Sequence, residues 1–114
     1  QVRIALQNTI ATFTCYEADR PVGMVRVIGD GGMSFYIKDF AVIPSHQSNG
    51  IGSKLMAALE NFIKKCKPAD WAVSLELISS KEAVPFYQKH GFSFTSKKQL
   101  QDGTPEFIVK MHRE

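Results

Sequence analysis

From Ile51 the apolar positions recur with a helical period. Ile51, Leu55, Leu59, Phe62, Ile63 and Cys66 share one face, and Lys54, Glu60 and Lys64 occupy others. Pro68 is the expected stop. Ahead of this helix the pattern belongs to strands. "ATFTCYE" and "VGMVRVI" are rich in β-branched and aromatic residues and are separated by the turn "ADRP", which predicts a hairpin. "GDGG" at 29–32 is a second turn signal, because glycine reaches positive φ without steric cost. "MSFYIKDFAVI" then reads as a long third strand, ended at Pro44, which has no amide proton for a ladder.

After the helix, "WAVSLELI" alternates, with Val73, Leu75 and Leu77 on one face and Ser74 and Glu76 on the other. "SSKEAVPFYQKHG" reads as a short helix, with Ser79 or Ser80 as N-cap, Pro85 in the first turn and Gly91 as the stop. "FSFTS" and "EFIVKMH" flank the polar turn "QDGTP" and close the chain as a strand pair, while Val2–Thr9 suggests the tail of a helix. The third strand, the long helix and "WAVSLELI" form a crossover unit, so those two strands should lie parallel side by side. The fold expected is mixed α/β: a mostly antiparallel sheet flanked by helices, with a central parallel pair.

Length and composition narrow this picture. The 114 residues suit one domain, 1–114, and 44% apolar with 22% charged residues is ordinary for a globular chain. No apolar run approaches a membrane span of about 20 residues, and nothing resembles a signal peptide. The chain starts at Gln1 rather than methionine, which is consistent with an upstream segment outside it. A net charge of +3 favours an anionic ligand only weakly. Cys15 and Cys66 lack metal or CxxC spacing, and reduced thiols in a cytoplasmic protein are expected over a disulfide. The three histidines are dispersed, so no metal site is expected. The basic runs "KKCK" at 64–67 and "KK" at 97–98 lack interleaved aromatics and fit solvated surfaces, so neither nucleic acid nor membrane is an expected partner.

The segment most suggestive of chemistry is the junction "HQSNGIGSK", where the third strand hands over to the helix. The first amides of a helix lack intrahelical partners, and the helix dipole adds positive character there. Glycines at such a junction let an anion, above all a phosphate, approach the backbone. A second reading needs no ligand: Gly50 supplies positive φ for a tight turn, and Gly52 allows close packing. Two common phosphate loops do not fit. A P-loop would need glycine where Gln47 stands, and a dinucleotide fingerprint ends in glycine where Leu55 stands.

What the junction does contain is Q-x-x-G-x-G, from Gln47 to Gly52, after a strand and at the start of an amphipathic helix. With "AVPFYQKHGF", Ala83 to Phe92, and with the order of elements from Ala11 to Met111, it resembles the Gcn5-related N-acetyltransferases, the GNAT family. The resemblance implies an acetyl-CoA-dependent N-acetyltransferase that moves an acetyl group directly to a primary amine of a small molecule or peptide. It implies that Gln47, Ser48, Asn49, Gly50, Ile51, Gly52 and Ser53 hold the pyrophosphate of coenzyme A. Members often carry a basic residue where Ser48 and Asn49 stand. The pantetheine arm would pair with the backbone of Phe40, Ala41 and Val42, placing the thioester where the parallel strands splay, near an amide by Ala41. Ala83 and Phe86 would line the channel.

By the same resemblance Tyr87 is the acid beside the sulfur; as a residue alone it also reads as core packing between Phe86 and Phe92. Asp39 and Glu76 are candidate bases, open respectively to an ion pair with Arg26 or Lys38 and to a half-solvated face. A water chain without a dedicated base is a further option. Ser79 and Ser80 stand where members often have asparagine, and either serine bonds the cofactor or caps the helix. Arg26, Tyr36 and Asp39 are candidates for the acceptor side. The N-terminal strand and helices usual in the family are missing or shortened, which leaves the acceptor pocket open or covered by other chain, as in a homodimer. The alternative function is a noncatalytic coenzyme A-binding module acting as a sensor or in an assembly.

Overall fold

Val25 and Val27 are fully buried, while Met24 and Arg26 between them are only partly so. This two-residue period divides the sheet into a covered and an open face. The computed structural model describes residues 1–67, 72–93, 97–98 and 107–113. In chain order the elements are α1 (Val2–Gln7), β1 (Ala11–Glu17), β2 (Arg20–Gly29), β3 (Ser34–Val42), α2 (Ile51–Cys66), β4 (Val73–Ser79), α3 (Val84–Lys89), β5 (Lys97–Lys98) and β6 (Phe107–Arg113). A short 3-10 turn, Pro44–His46, joins β3 to the segment before α2.

The sheet order is β1-β2-β3-β4-β6-β5. The first three strands are antiparallel neighbours, β3 and β4 run parallel, β4 and β6 run parallel, and β5 is antiparallel to β6. The mixed sheet, the crossover and the central parallel pair are as the pattern of apolar residues implies. α2 spans the predicted residues, and it seats Ile51, Leu55, Met56, Leu59 and Ile63 on the valines of β2, Phe35 and Ile37 of β3, and Leu75 and Leu77 of β4. Each such side chain removed from water stabilises the fold by roughly 1.5–3 kcal/mol before entropy is counted. Phe62 adds edge-to-face contacts with Phe13 and Phe35 at 5.8 and 6.4 Å between centroids.

The turn at "GDGG" is organised by Asp30. Its Oδ1 accepts the amides of Gly32, Met33 and Ser34, and these bonds hold its carboxyl below the usual range.

Three boundaries differ from expectation. α3 begins at Val84 with Ala83 as its N-cap and no side-chain cap, so neither Ser79 nor Ser80 caps it. Residues 80–83 instead form a turn in which the Ala83 amide donates to the Ser80 carbonyl, and Pro85 lies in the first helical turn as expected. Phe92 and Ser93 are outside any strand; β5 is Lys97–Lys98, and the rest of "FSFTS" lies outside the described residues. β4 starts at Val73, and Trp71 and Pro68 likewise lie outside them.

Candidate functional site

The parallel pairing of β3 and β4 covers only Ser34–Ile37 against Ser74–Leu77. Beyond it the two strands separate, and the cause is local. Between Met24 and Arg26 of β2 lies one residue, whereas between their partners Ala41 and Lys38 lie two, Asp39 and Phe40. This is a β-bulge, and Asp39 adopts φ +55° within it, a conformation aspartate tolerates better than most side chains. The extra residue reverses the phase of the strand. Phe35 and Ile37 face the helices before it, and Phe40 does so after it, packing edge-on against Phe86 and Tyr87 at 5.5 and 5.9 Å.

Two grooves meet at this splay. The first, of about 420 Å³, lies on the helix side and is lined by Phe40, Val42, Gln47, Gly52, Phe86 and Tyr87 among others. The second, of about 250 Å³, passes between the separated strands, from Ala83 and Tyr87 on the helix side to Asp39 and Ile78 on the open face. Phe40, Ser80, Ala83 and Tyr87 border both. The splay is thus a slot through the sheet with Tyr87 at one mouth and Asp39 at the other.

Tyr87 is 7% exposed, and its hydroxyl has no hydrogen-bond partner among the described residues. Burial pushes the phenol up to about 12. It stays protonated at any physiological pH and is available as a donor. Its position is set from behind. Gly91, at φ +90°, lets the Gly91 amide reach the Gln88 carbonyl and the Phe92 amide reach the Tyr87 carbonyl, both at 3.0 Å. This is a Schellman closure of α3.

At the glycine junction, Ser48 and Gly50 both have positive φ, +72° and +80°. A Cβ on Gly50 would meet open space, so conformation rather than crowding calls for glycine there. Gly52 is the reverse: a Cβ would lie 3.0 Å from Cε1 of Phe86. Both ligand-free readings of the glycines therefore hold. They do not exclude a ligand, because α2 has no side-chain cap and its first amides remain open. A backbone-donor terminus beside a groove lined largely by apolar side chains suits a ligand that joins an anionic group to a thin arm.

The other expected cofactor residues are placed differently from one another. Gln47 borders the groove, but its Nε2 donates to the Val42 carbonyl at 3.0 Å and tethers the junction to the end of β3. Ile43 donates its amide to Val22 of β2 at 2.9 Å, so strand alternation turns Ala41 to β2 as well and Val42 to the splay. Ile51 sends its side chain into the core, and Ser53 Oγ shares a hydrogen with His90 Nε2 at 3.1 Å, joining α2 to the end of α3. Ser79 borders the slot, is 2% exposed and donates to the Ser80 carbonyl.

Of the two candidate bases, Asp39 shares the slot with Tyr87. Its Oδ2 accepts from Arg26 Nε at 2.7 Å, the ion pair weighed from the sequence, and Arg26 Nη1 also donates to Thr9 Oγ1. Glu76 lies next to Tyr36 in the register and accepts from Ser74 Oγ at 3.2 Å; neither Glu76 nor Tyr36 borders the slot. The Tyr36 ring instead carries Lys38 Nζ at 5.5 Å. Ser80, expected with Ser79 as a donor to the cofactor, lines the groove, and so does Glu82, which was not expected there. Ser80 had a signal, as a serine directly after the parallel strand, whereas nothing marked Glu82.

Comparison with known proteins places this geometry among relatives. A family model described as an acetyltransferase (GNAT) domain matches residues 1–113. The chain is 33% identical over 97 residues to the uncharacterized N-acetyltransferase YjcF of Bacillus subtilis, covering 85% of this chain and 66% of that protein's length. A probable acetyltransferase from meticillin-resistant Staphylococcus aureus superposes with a TM-score of 0.73 at 36% identity, over 94% of this chain and 76% of the other. A GNAT family protein from Streptococcus pneumoniae gives 0.71 at 30%, over 82% and 67%.

Proposed function

The chain belongs to the GNAT acetyltransferase family, and from that premise we propose that it transfers the acetyl group of acetyl-CoA directly to a primary amine. The observation that carries the reading is the slot, which sets a buried phenol and a carboxylate on opposite sides of one opening. When bound, acetyl-CoA supplies a thioester whose carbonyl carbon accepts the amine nitrogen. The uncapped start of α2 would hold the pyrophosphate, and the turned-out Val42 amide, whose carbonyl Gln47 already engages, would meet the pantetheine arm.

In the transfer a C–N bond forms and the C–S bond breaks. One proton leaves the nitrogen and one is taken up by the departing sulfur. Tyr87 would donate a hydrogen bond to that sulfur. A magnitude limits its role: a phenol at about 12 does not surrender its proton outright to a thiolate whose conjugate acid ionises near ~8.5. Tyr87 therefore steadies the leaving charge, and the proton shed by the nitrogen restores the balance. Asp39, at the other mouth, faces the side from which the amine enters.

Calorimetric titration of acetyl-CoA into the chain tests the reading, followed by thiol release on a panel of amines. Gly50→Glu would confound a left-handed backbone with a charge at the ligand, so Gly50→Asn, which tolerates that φ, serves as the folded reference. Saturable binding with amine-dependent thiol release supports a transferase. Binding without turnover on any amine would favour a coenzyme A-binding module, and no binding by folded protein would remove both.

A further inference from the structure

On the open face of the sheet, next to the slot, lies a third groove of about 500 Å³. Thr14, Tyr16, Val22, Met24, Ala41 and Ile43 form most of its lining, and among the described residues no charged side chain borders it. The groove and the slot share no lining residue, and they are related through the bulge. Asp39 and Ala41 stand two residues apart on β3, as Arg26 and Met24 do on β2, and the Arg26–Asp39 ion pair puts all four on the open side. The step from one to the next along a strand is roughly 7 Å. Walking along this face, an apolar floor therefore ends in a carboxylate at the mouth of the slot. Asp39 Oδ2 is taken by Arg26, while Oδ1 accepts nothing among the described residues.

Resting on the transferase reading above, we infer that the acceptor is a primary amine carried on an apolar body, an alkylamine or arylalkylamine. The ammonium group meets Asp39 Oδ1, and the apolar body lies over Met24, Ala41 and Ile43. Once the nitrogen has lost a proton it attacks through the slot, and the acetyl group leaves the sulfur for the nitrogen as described. Polar acceptors fit less well. An aminosugar would set several hydroxyls on a floor whose only side-chain partners among the described residues are the hydroxyls of Thr14 and Tyr16. An amino acid would bring its own carboxylate beside that of Asp39, against a guanidinium whose charge Asp39 already shares.

The test is a homologous series of linear amines from ethyl- to hexylamine, with phenethylamine, set against glucosamine 6-phosphate, spermidine and free lysine. Thiol release gives kcat/KM, and calorimetry gives acetyl-CoA affinity in parallel. The expected result is a rise of about 3- to 4-fold in kcat/KM per added methylene. Met24→Gln should flatten that rise while acetyl-CoA affinity holds, and Ala41→Gln, at an exposed strand position, stands in if the first variant fails to fold. A flat series with acetyl-CoA bound, or turnover confined to the polar amines, overturns the inference and leaves the transferase reading standing. Failure to bind acetyl-CoA would overturn both.

Discussion

The Tyr87 carbonyl accepts the Phe92 amide at 3.0 Å while the two rings meet edge-on at 5.7 Å. The residue proposed to act at the slot is thus fixed by the residue just past the end of its own helix, through Gly91. An L-side chain at Gly91 must enter the left-handed region, at a cost of roughly 1–2 kcal/mol. Gly91→Ala should lower unfolding free energy in urea by about that amount and reduce kcat more than acetyl-CoA affinity. Gly91→Asn should do less on both counts. Equal damage from the two variants would show that the backbone conformation is not what matters.

Tyr87→Phe keeps the aromatic contacts with Phe40, Phe86 and Phe92 and removes only the hydroxyl. Because that hydroxyl has no partner among the described residues, the variant should be no less stable than the parent, and up to about 1 kcal/mol more so. Turnover should fall roughly 10- to 100-fold with acetyl-CoA affinity preserved. Unchanged kcat would remove Tyr87 from the chemistry and leave it as packing.

Much of this arrangement was readable from residue types. The apolar period from Ile51 to Cys66 made α2 legible, since a 16-residue amphipathic helix carries enough repeats to define its own phase. The glycine junction, Pro85 and Gly91 were legible because each answers a backbone demand few other residues meet. The bulge was not. Aspartate enters the left-handed region without announcing it, so straight alternation from Phe35 would have put Phe40 and Val42 on the open face. The slot, the position of Asp39 within it and the apolar groove beside it all depend on that one residue. The ambiguity at Ser79 had a different source: a serine before a helix reads as a cap whether or not the helix starts there, and here it starts at Val84.

Gly52→Ala separates packing from ligand contact at the junction. The added methyl would sit 3.0 and 3.2 Å from Phe86 Cε1 and Cζ, and that ring is held by Phe40, Tyr87 and His90. A shift of a few tenths of an ångström in a packed ring should lower stability by about 1 kcal/mol and narrow the groove Phe86 lines. Acetyl-CoA affinity should fall by a similar energy, read by calorimetry. Unaltered affinity in a destabilised variant would mean the groove does not take the ligand.

Asp39→Asn retains a residue that tolerates positive φ but removes the charge facing Arg26. The Arg26 side chain is 14% exposed and that of Asp39 54%, so the pair is partly screened and contributes about 1 kcal/mol at most. The main effect should fall on the acceptor: KM for amines rises while acetyl-CoA affinity is unchanged. Equal loss for both substrates would assign Asp39 to holding the bulge rather than meeting the amine.

Tyr87 also makes an alkaline prediction with a defined sign. Burial raises its phenol from 10.0 to about 12, so the folded state retains the proton over a range in which the unfolded chain has released it. The stabilisation is therefore whole below pH 10 and is lost as pH rises from there through 12. A shift of this size corresponds to roughly 2–3 kcal/mol, reduced to about 1–2 because the ring borders two grooves open to water. Other groups titrate in the same window, so the measurement is a difference: urea unfolding of the parent and Tyr87→Phe at pH 9, 10.5 and 11.5. The parent should lose stability faster, and any gap present at pH 9 should widen only above pH 10. The same protonation state makes kcat indifferent to Tyr87 ionisation below that pH. A gap already changing between pH 7 and 9 would mean the phenol is not desolvated as its burial implies.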